Sequence, residues 1–258
     1  MAAYYNEIDP YAAQWLRNLI AAGHIAPGDV DERSITEVQP DDLRGYTQCH
    51  FFAGIGGWSY AMRLAGWPDD RPVWTGSCPC QPFSAAGKQR GSDDERHLWP
   101  AFFDLIRECR PGIVFGEQVA GAAGEAWWDH VAADLEGEDY AAAAANIGAH
   151  SVGAFHIRQR LYWVAYAERI GQPESRQMGR SSDTEAGQDR QADRPDDAGY
   201  FNPWADLEWL PCADGKARPT QPGLFPLAHG IPGRVGRLRA YGNAIVPQVA
   251  ESFIRSVM

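Results

Sequence analysis

The feature that most constrains the fold is an alternation of short strand signals with helical stretches over residues 4–165. Residues 4–45 read as strand, helix and strand, with the helix over residues 10–22 and the second strand over residues 34–38. Strands that alternate with helices predict a doubly wound, mostly parallel α/β sheet. Ligands of such a sheet bind beyond the carboxyl ends of its strands.

The same pattern continues along the chain. Further strands are expected over residues 48–52, 73–76, 112–115, 140–146 and 160–165. Further helices are expected over residues 58–65, 98–108, 127–136 and 247–257. The residues with the most evident chemistry follow the ends of these strands.

Length and composition indicate one main domain with a small appendage, because 258 residues with 45% hydrophobic content can bury one sizeable core. We expect the main domain over residues 1–167. Polar residues without periodicity dominate residues 168–199 and aromatic residues then return, so a variable loop and a small irregular region are expected over residues 168–233. Residues 234–258 are expected to return to the main domain.

The first ten residues have neither a basic start nor an apolar run, and no stretch of about eighteen uncharged apolar residues occurs. We therefore expect a soluble, cytoplasmic protein without a membrane span. The five cysteines form no regularly spaced framework, which argues against disulfides. Cys78 and Cys80 form a C-x-C pair without a second pair, so a zinc site is a minor alternative and no metal is expected.

The formal net charge of −11 argues at first against a nucleic-acid partner. The charge is unevenly distributed, however, because basic residues outnumber the single acid Glu251 from Lys216 onward, whereas acids crowd residues 7–42. One basic face on an acidic body is compatible with a DNA-binding cleft. A solvated charged surface is the alternative interpretation.

A candidate nucleophile lies in the run Ser-Cys-Pro-Cys-Gln-Pro-Phe-Ser at residues 77–84, where Cys80 stands on a short turn between two prolines. A lone cysteine is as compatible with a small buried apolar residue. Four other motifs accompany it: Phe-Ala-Gly-Ile-Gly-Gly at 52–57, Gly-Glu-Gln-Val at 116–119, His-Ile-Arg-Gln-Arg at 156–160 and Gly-Asn-Ala-Ile-Val-Pro at 242–247. In this order the five motifs resemble the signature blocks of the cytosine-C5 DNA methyltransferases.

The resemblance implies a Rossmann-like methyltransferase that transfers a methyl group from S-adenosylmethionine to C5 of a flipped cytosine in double-stranded DNA. In that family's chemistry the Cys80 thiolate attacks C6. Glu117 donates a hydrogen bond or a proton at N3, for which burial must raise its pKa. Arg158 and Arg160 hold the cytosine O2 and the thiol-bearing turn, with Arg160 the better candidate because Arg158 could be a surface charge.

Other family positions imply contacts with the substrate and the cofactor. Gln81, Ser84 and Lys88 are expected to bind DNA, since residues 85–95 match the family's mobile catalytic loop. The glycine turn (Phe52, Ala53, Gly54, Ile55, Gly56 and Gly57) is expected to approach the cofactor. Asn243 matches a residue near the cofactor in the family. His156 departs from the family, which has glutamine at that position.

The chain also departs from the family in order, because only about twenty residues separate the glycine turn from Cys80. Glu7 and Ile8 look like the family's ribose-binding strand end, and Ser34 and Ile35 look like its third-strand segment. We therefore infer a permutation in which the family's second and third strands come first. Glu7 would bind the ribose hydroxyls.

The residue that contacts the adenine is either Ser34 or Asp31. The rival hypothesis is an unrelated N-terminus and a defective cofactor pocket. Two other functions compete with DNA methylation: C5 modification of another nucleic acid such as RNA, and a catalytically silent DNA-binding or regulatory homologue. We expect a monomer, and the enzyme could belong with a restriction endonuclease or be solitary or phage-borne.

Overall fold

The computed structural model describes residues 2–79, 98–154, 156–167 and 244–258, together with the backbone of residues 208–211 and 217–220. By its internal contacts the chain divides into two compact units. One comprises Met1–Ile170 with Leu227–Met258, and the other comprises Gly171–Pro226. The domain boundaries expected from the sequence remain a prediction.

The first unit is built on a seven-stranded sheet with the order β2-β1-β3-β4-β5-β7-β6. Strand β7 runs antiparallel to both its neighbours, and the other neighbouring pairs are parallel. This confirms the predicted doubly wound, mostly parallel α/β class. The strands are β1 (Ala2–Asn6), β2 (Gly28–Asp31), β3 (Tyr46–Phe51), β4 (Val73–Gly76), β5 (Ile113–Val119), β6 (Tyr140–Gly148) and β7 (Gln159–Ala167).

Five α-helices are found among the described residues: α1 (Pro10–Ala21), α2 (Gly57–Ala65), α3 (Trp99–Cys109), α4 (Ala122–Gly137) and α5 (Pro247–Ser256). Asp9 begins α1, because its side chain accepts hydrogen bonds from the amides of Tyr11 and Ala12. Gly66 ends α2 in the left-handed conformation. None of the helices in the described residues is long and apolar enough to span a membrane.

Alternate side chains of β1 show which helices cover each face of the sheet. Tyr5 packs in a cluster with Leu16 of α1, and its hydroxyl hydrogen-bonds to Ser59 of α2. Tyr4 packs in the other cluster with Phe102 of α3. Helices α1 and α2 therefore cover one face and α3 covers the other, as strand periodicity requires.

The expected strand over residues 34–38 is wrong. Residues Ile35–Glu37 form a turn of 3-10 helix that Ser34 caps, and the second strand of this region is Gly28–Asp31, which pairs with one side of β1. Ile35 and Val38 are buried, so their spacing reflects the packing of this turn against the core and not an extended strand. The predicted strand–helix–strand order of the N-terminal region is correct.

In the second unit, β8 (Glu208–Pro211) pairs antiparallel with β9 (Ala217–Thr220). This small sheet lies within the region that the sequence predicts to be irregular.

Candidate active site

The candidate site lies at the edge of the sheet where the parallel strands end. Asn6, the last residue of β1, pairs with Phe51 at the end of β3, which in turn pairs with Gly76 at the end of β4. Because β7 runs in the opposite direction, it begins at the same edge, close to Val119 at the end of β5. Glu7, the glycine turn, Ser77, Glu117 and Arg160 therefore share one edge, as predicted for a doubly wound sheet.

Glu117 is the most deeply buried acid of this edge, with 9% of its surface exposed. Its Oε1 lies 2.9 Å from Nε of Arg160, which approaches from β7. Burial raises the pKa of Glu117, although the charges of Arg160 and Arg158 and a hydrogen bond with Ser77 act in the opposite direction. A carboxyl group with a raised pKa is suited to donate a hydrogen bond or a proton.

Gln118 supports the turn that leads to the candidate nucleophile. Its side chain is 2% exposed, and its Nε2 donates to the carbonyl oxygen of Cys78 over 3.3 Å. Its Oε1 accepts from the amide of Val119, so the side-chain amide is fixed at both ends. Gln118 thereby links β5 to the backbone of Cys78, two residues before Cys80. The sequence motif contained Gln118 but assigned it no role.

Cys78 is a core residue, because it is 5% exposed and packs in the cluster that contains Phe51 and Trp99. Burial raises the pKa of its thiol well above the usual range. A thiol in this environment resists ionisation and is a poor nucleophile. Of the two cysteines in the C-x-C pair, Cys78 therefore has a structural role.

Several residues singled out from the sequence lie outside the described residues: Cys80, Gln81, Ser84, Lys88 and Asn243. Their assignment as nucleophile, DNA contacts and cofactor neighbour stays a prediction. The described chain ends at Pro79 on one side of Cys80 and resumes at Leu98.

Arg158 lies beside the ion pair and not in open solvent. Its Nη2 donates to the carbonyl oxygen of Ala244 over 2.5 Å, and its backbone has a positive φ of 27°. Burial lowers the pKa of Arg158, as does the charge of Arg160, whereas Glu117 acts in the opposite direction. Arg158 therefore connects the start of β7 to the segment before α5. A positive φ at a non-glycine residue is uncommon and requires the surrounding contacts to hold it.

The glycine turn joins β3 to α2. Gly54 and Gly56 have φ values of 55° and 80°, and Phe52 has a positive φ of 51°. The amide of Ala53 donates to the carbonyl oxygen of Asn6 over 3.0 Å, which ties the turn to β1. A Cβ atom at Gly57 would lie 2.7 Å from Cγ1 of Ile245, so the segment before α5 packs directly against this turn. The positive φ values at Gly54 and Gly56 favour glycine, and the close approach of Ile245 to Gly57 leaves no room for a Cβ atom.

Glu7 connects the N-terminal strand to the glycine turn. Its Oε2 accepts a hydrogen bond from the amide of Gly54 over 2.7 Å, and its Oε1 accepts from the amide of Asp9 over 2.8 Å. The next residue, Ile8, is 64% exposed beside it. The structure therefore brings Glu7 into contact with the glycine turn, which is 47 residues away in the sequence.

The two candidates for the adenine contact differ in their surroundings. Both oxygens of Asp31 accept hydrogen bonds from Arg33, and Oδ2 also accepts from the hydroxyl of Tyr4 over 2.7 Å. Although burial opposes it, these hydrogen bonds lower the pKa of Asp31. Ser34 caps the following turn and Ile35 is 3% exposed. Asp31 is thus engaged in a structural ion pair, and both candidates remain predictions.

Comparison with protein families matches residues 67–191 to the C-5 cytosine-specific DNA methylase family. The match covers just under half of the chain. The matched segment includes Cys80, Glu117, Arg158 and Arg160, and it begins after Glu7 and the glycine turn.

Two curated relatives are similar over part of the chain. The Type II methyltransferase M.AplI of Arthrospira platensis is 35% identical over 114 residues, which cover 43% of this chain and 32% of that protein. The Type II methyltransferase M.HhaI of Haemophilus parahaemolyticus is 31% identical over 171 residues, which cover 50% of this chain and 52% of that protein. The chain thus spans about a third to a half of the length of these relatives.

A solved structure of a Spodoptera frugiperda DNMT2 variant aligns with 68% of this chain and 45% of that chain. The TM-score is 0.45 and the sequence identity is 16%.

Ser77 and Trp58 were not singled out from the sequence as site residues. Trp58 Nε1 donates to Ser77 Oγ over 3.0 Å, and the Ser77 side chain acts to lower the pKa of Glu117 beside it. No sequence signal pointed to Trp58, which occupies an apolar position of α2. Ser77 stands within the quoted cysteine motif, but its neighbours in the chain do not reveal its contact with β5.

Proposed function

We propose that this chain is an enzyme that methylates C5 of cytosine in double-stranded DNA, with S-adenosylmethionine as the methyl donor. The observation that carries the proposal is the environment of Glu117. This carboxyl group is buried, has a raised pKa and is held by Arg160 and Ser77 at the strand end that adjoins the cysteine turn. The family of residues 67–191 supports the same chemistry.

The ring carbon C5 of cytosine is not nucleophilic, so the reaction requires prior addition of a nucleophile at C6. In the proposed mechanism the Cys80 thiolate forms a bond to C6. Glu117 donates a hydrogen bond or a proton at N3, where negative charge develops, and C5 becomes nucleophilic. After methyl transfer, loss of the C5 proton and expulsion of the Cys80 thiolate restore the aromatic ring. Arg160 would hold the cytosine O2 while it orients Glu117.

The residues at the ends of β1 and β3 fit S-adenosylmethionine, which supplies the methyl group. The carboxylate of Glu7, which follows β1 and accepts hydrogen bonds from the amides of Asp9 and Gly54, would accept hydrogen bonds from the ribose hydroxyls, the role of an acid at this strand end in nucleotide-binding sheets. A Cβ atom at Gly54 would meet nothing closer than the carbonyl oxygen of Phe52 at 4.0 Å, so the backbone is open there. A ligand can therefore approach the turn closely.

The permutation hypothesis explains why a chain with displaced strands would keep this pocket. The hypothesis requires β1 to lie beside β3, and the sheet order β2-β1-β3 has that arrangement. Neighbours in a sheet need not be neighbours in the chain.

The target base has to leave the duplex, because a base inside the stack cannot present C6 to a thiol beside a buried carboxyl group. We propose that Gln81, Ser84 and Lys88 contact the DNA around this base, and that part of residues 168–233 selects the sequence. Cys80, Glu117 and the two arginines would remain the same for any target sequence.

Covalent trapping tests the proposal. The chain is incubated with S-adenosylmethionine and with DNA fragments that together contain 5-fluorocytosine in every short sequence context, because fluorine at C5 prevents release of the enzyme. We expect an adduct stable to denaturation that maps to Cys80 by mass spectrometry. Cys80→Ser should abolish the adduct, and Cys109→Ser is the matched control, since Cys109 lies at the end of α3.

The same experiment separates the competing functions. Complete absence of an adduct with folded protein would favour the catalytically silent homologue. An adduct with fluorinated RNA but not with fluorinated DNA would favour the RNA substrate. Bisulfite sequencing of DNA from cells that express the chain would then report activity and recognition site together.

A further inference from the structure

Ser77 lies between an indole and the candidate catalytic carboxyl group. The Nε1 of Trp58 donates to Ser77 Oγ over 3.0 Å, and the Ser77 side chain lies beside Glu117 in the sheet register and acts to lower the pKa of its carboxyl group. Because an indole N–H can only donate, Ser77 Oγ accepts from Trp58 and its own hydrogen remains for the carboxylate. A hydrogen bond from Ser77 to Glu117 would therefore continue the direction of the one from Trp58 to Ser77.

The sheet register and the core fix the positions of these groups. Gly76 of β4 pairs with Gly116 of β5, so the next residues, Ser77 and Glu117, lie side by side. Trp58 is 4% exposed, and its ring contacts the ring of Phe115 with centroids 6.0 Å apart. A donor held in this way loses little conformational freedom when it makes its hydrogen bond.

We propose that Ser77, held by Trp58, is a positioning residue that sets the direction in which the Glu117 carboxyl group points. The inference rests on the function proposed above, in which Glu117 acts on the base. Arg160 holds the carboxyl group from β7, with its Nε 2.9 Å from Oε1, and Ser77 holds it from β4. Contacts from two sides restrict the rotation of the Glu117 carboxyl group more than either contact does alone. Such orientation of a catalytic group is worth a large factor in rate.

The contact also has a predictable effect on titration. A donor to the carboxylate stabilises its charged form, so loss of the Ser77 hydroxyl raises the pKa of Glu117 further above its usual range. Within the described part of the chain, the other charged or titratable groups that act on Glu117 are Arg160, Arg158 and Tyr162, from β7 and the residue before it. They are the same in wild type and in Ser77 variants, so a difference in titration reports the serine hydroxyl.

The test compares Ser77→Ala with Ser77→Thr, which keeps a hydroxyl. We expect Ser77→Ala to lower kcat about tenfold at saturating S-adenosylmethionine, with KM for DNA changed less than about twofold. The alkaline limb of the pH profile of kcat should move to higher pH, because Glu117 stays protonated longer. Ser77→Thr should restore kcat and return the alkaline limb to its wild-type pH. Trp58→Phe, which removes only the donor to Ser77, should produce a smaller change in the same direction.

Ser59→Ala is the matched structural control. Ser59 is 1% exposed on α2, and its hydroxyl hydrogen-bonds to Tyr5 and to the amide of Ala26 away from Glu117. Its loss should lower Tm without moving the alkaline limb. If Ser59→Ala and Ser77→Ala reduce kcat equally and neither moves the limb, Ser77 is only structural and the inference is overturned.

A second readout needs neither DNA nor cofactor. The side-chain carboxyl carbons of glutamate are labelled with ¹³C, and the Glu117 signal is assigned by its absence in Glu117→Gln. The midpoint of its titration should rise in Ser77→Ala and return in Ser77→Thr. An unchanged midpoint together with an unchanged kcat overturns the inference. A shifted midpoint in a protein that methylates no DNA supports the positioning contact and refutes the proposed function.

Discussion

Glu7 follows β1 and Glu117 lies near the end of β5, both at the same edge of the sheet, and the protein holds them in opposite ways. Glu7 is half-buried and receives hydrogen bonds from the backbone amides of Asp9 and Gly54. Glu117 is buried and is held by side chains, with Arg160 on one oxygen. One environment suits a carboxylate that accepts hydrogen bonds, and the other suits a carboxyl group that donates one.

The surroundings of a carboxyl group can therefore fit one glutamate to accept hydrogen bonds and another to donate one. Backbone amides near Glu7 supply donors without burying the carboxylate completely. Burial at Glu117 opposes ionisation more strongly than Arg160, Arg158 and Ser77 favour it, and its pKa is raised. Substitution of Glu117 should therefore lower kcat, whereas substitution of Glu7 should weaken the binding of S-adenosylmethionine.

The largest effect is expected for Glu117→Gln, which keeps the size of the side chain but removes the exchangeable carboxyl proton. We expect kcat to fall about 10²- to 10³-fold, because a positioned general acid contributes that much. The Kd for S-adenosylmethionine should stay within about twofold, as measured by isothermal titration calorimetry. A near-normal kcat would show that Glu117 has no part in the chemistry.

A smaller effect is expected for Glu7→Ala, which removes the proposed ribose acceptor. The Kd for S-adenosylmethionine should rise about tenfold or more, since hydrogen bonds to a charged group are worth about 1.5–3 kcal/mol each. Saturating cofactor should restore kcat. Glu136→Ala, at an exposed position of α4, is the matched control. Unchanged affinity in Glu7→Ala would contradict the placement of the N-terminal strands in the cofactor pocket.

The raised pKa of Glu117 should be visible in the pH dependence of the protein's stability, without any ligand. Its folded pKa is raised, so its contribution to stability is fully present below the unfolded pKa of about 4.3 and is lost as pH rises through the folded pKa. The free energy of unfolding from urea denaturation at a series of pH values should therefore fall more steeply across this window in wild type than in Glu117→Gln. Parallel curves would mean that Glu117 titrates normally.

The smallest effect concerns the packing of the glycine turn. Gly57→Ala should lower the free energy of unfolding by about 1 kcal/mol, because the new Cβ would overlap Cγ1 of Ile245. In a double-mutant cycle Ile245→Ala should recover part of this loss. Gly137→Ala is the control, since a Cβ there meets nothing within 4 Å. Additive effects of the two changes would exclude a direct contact.

Much of the fold could be predicted because buried strands leave a continuous apolar signal. The run Leu161–Ala165 is buried throughout, and it places Arg160 at the beginning of β7. β2 could not be predicted in this way. Its sequence Gly-Asp-Val-Asp follows a proline and contains two acids, as a turn would, and an edge strand with one neighbour needs little apolar surface.

The contacts of the candidate site were predictable only where a known motif carried them. Glu117 and Arg160 were found through the family resemblance, and the structure places them in an ion pair. The contact of Ser77 with Glu117 depends on the register between β4 and β5, which no local pattern encodes. The positive φ of Arg158 likewise depends on tertiary contacts, including its hydrogen bond to Ala244, 86 residues away in the chain.

The sheet order has a consequence for how the protein acquires its shape during synthesis. The three strands β2, β1 and β3 and the contact of Glu7 with Gly54 all lie within 54 residues of sequence. Contacts between residues close in the chain need less loop closure and form sooner. The nascent chain can therefore assemble this corner before the ribosome has made Glu117, so the carboxylate at Glu7 would have its partners first.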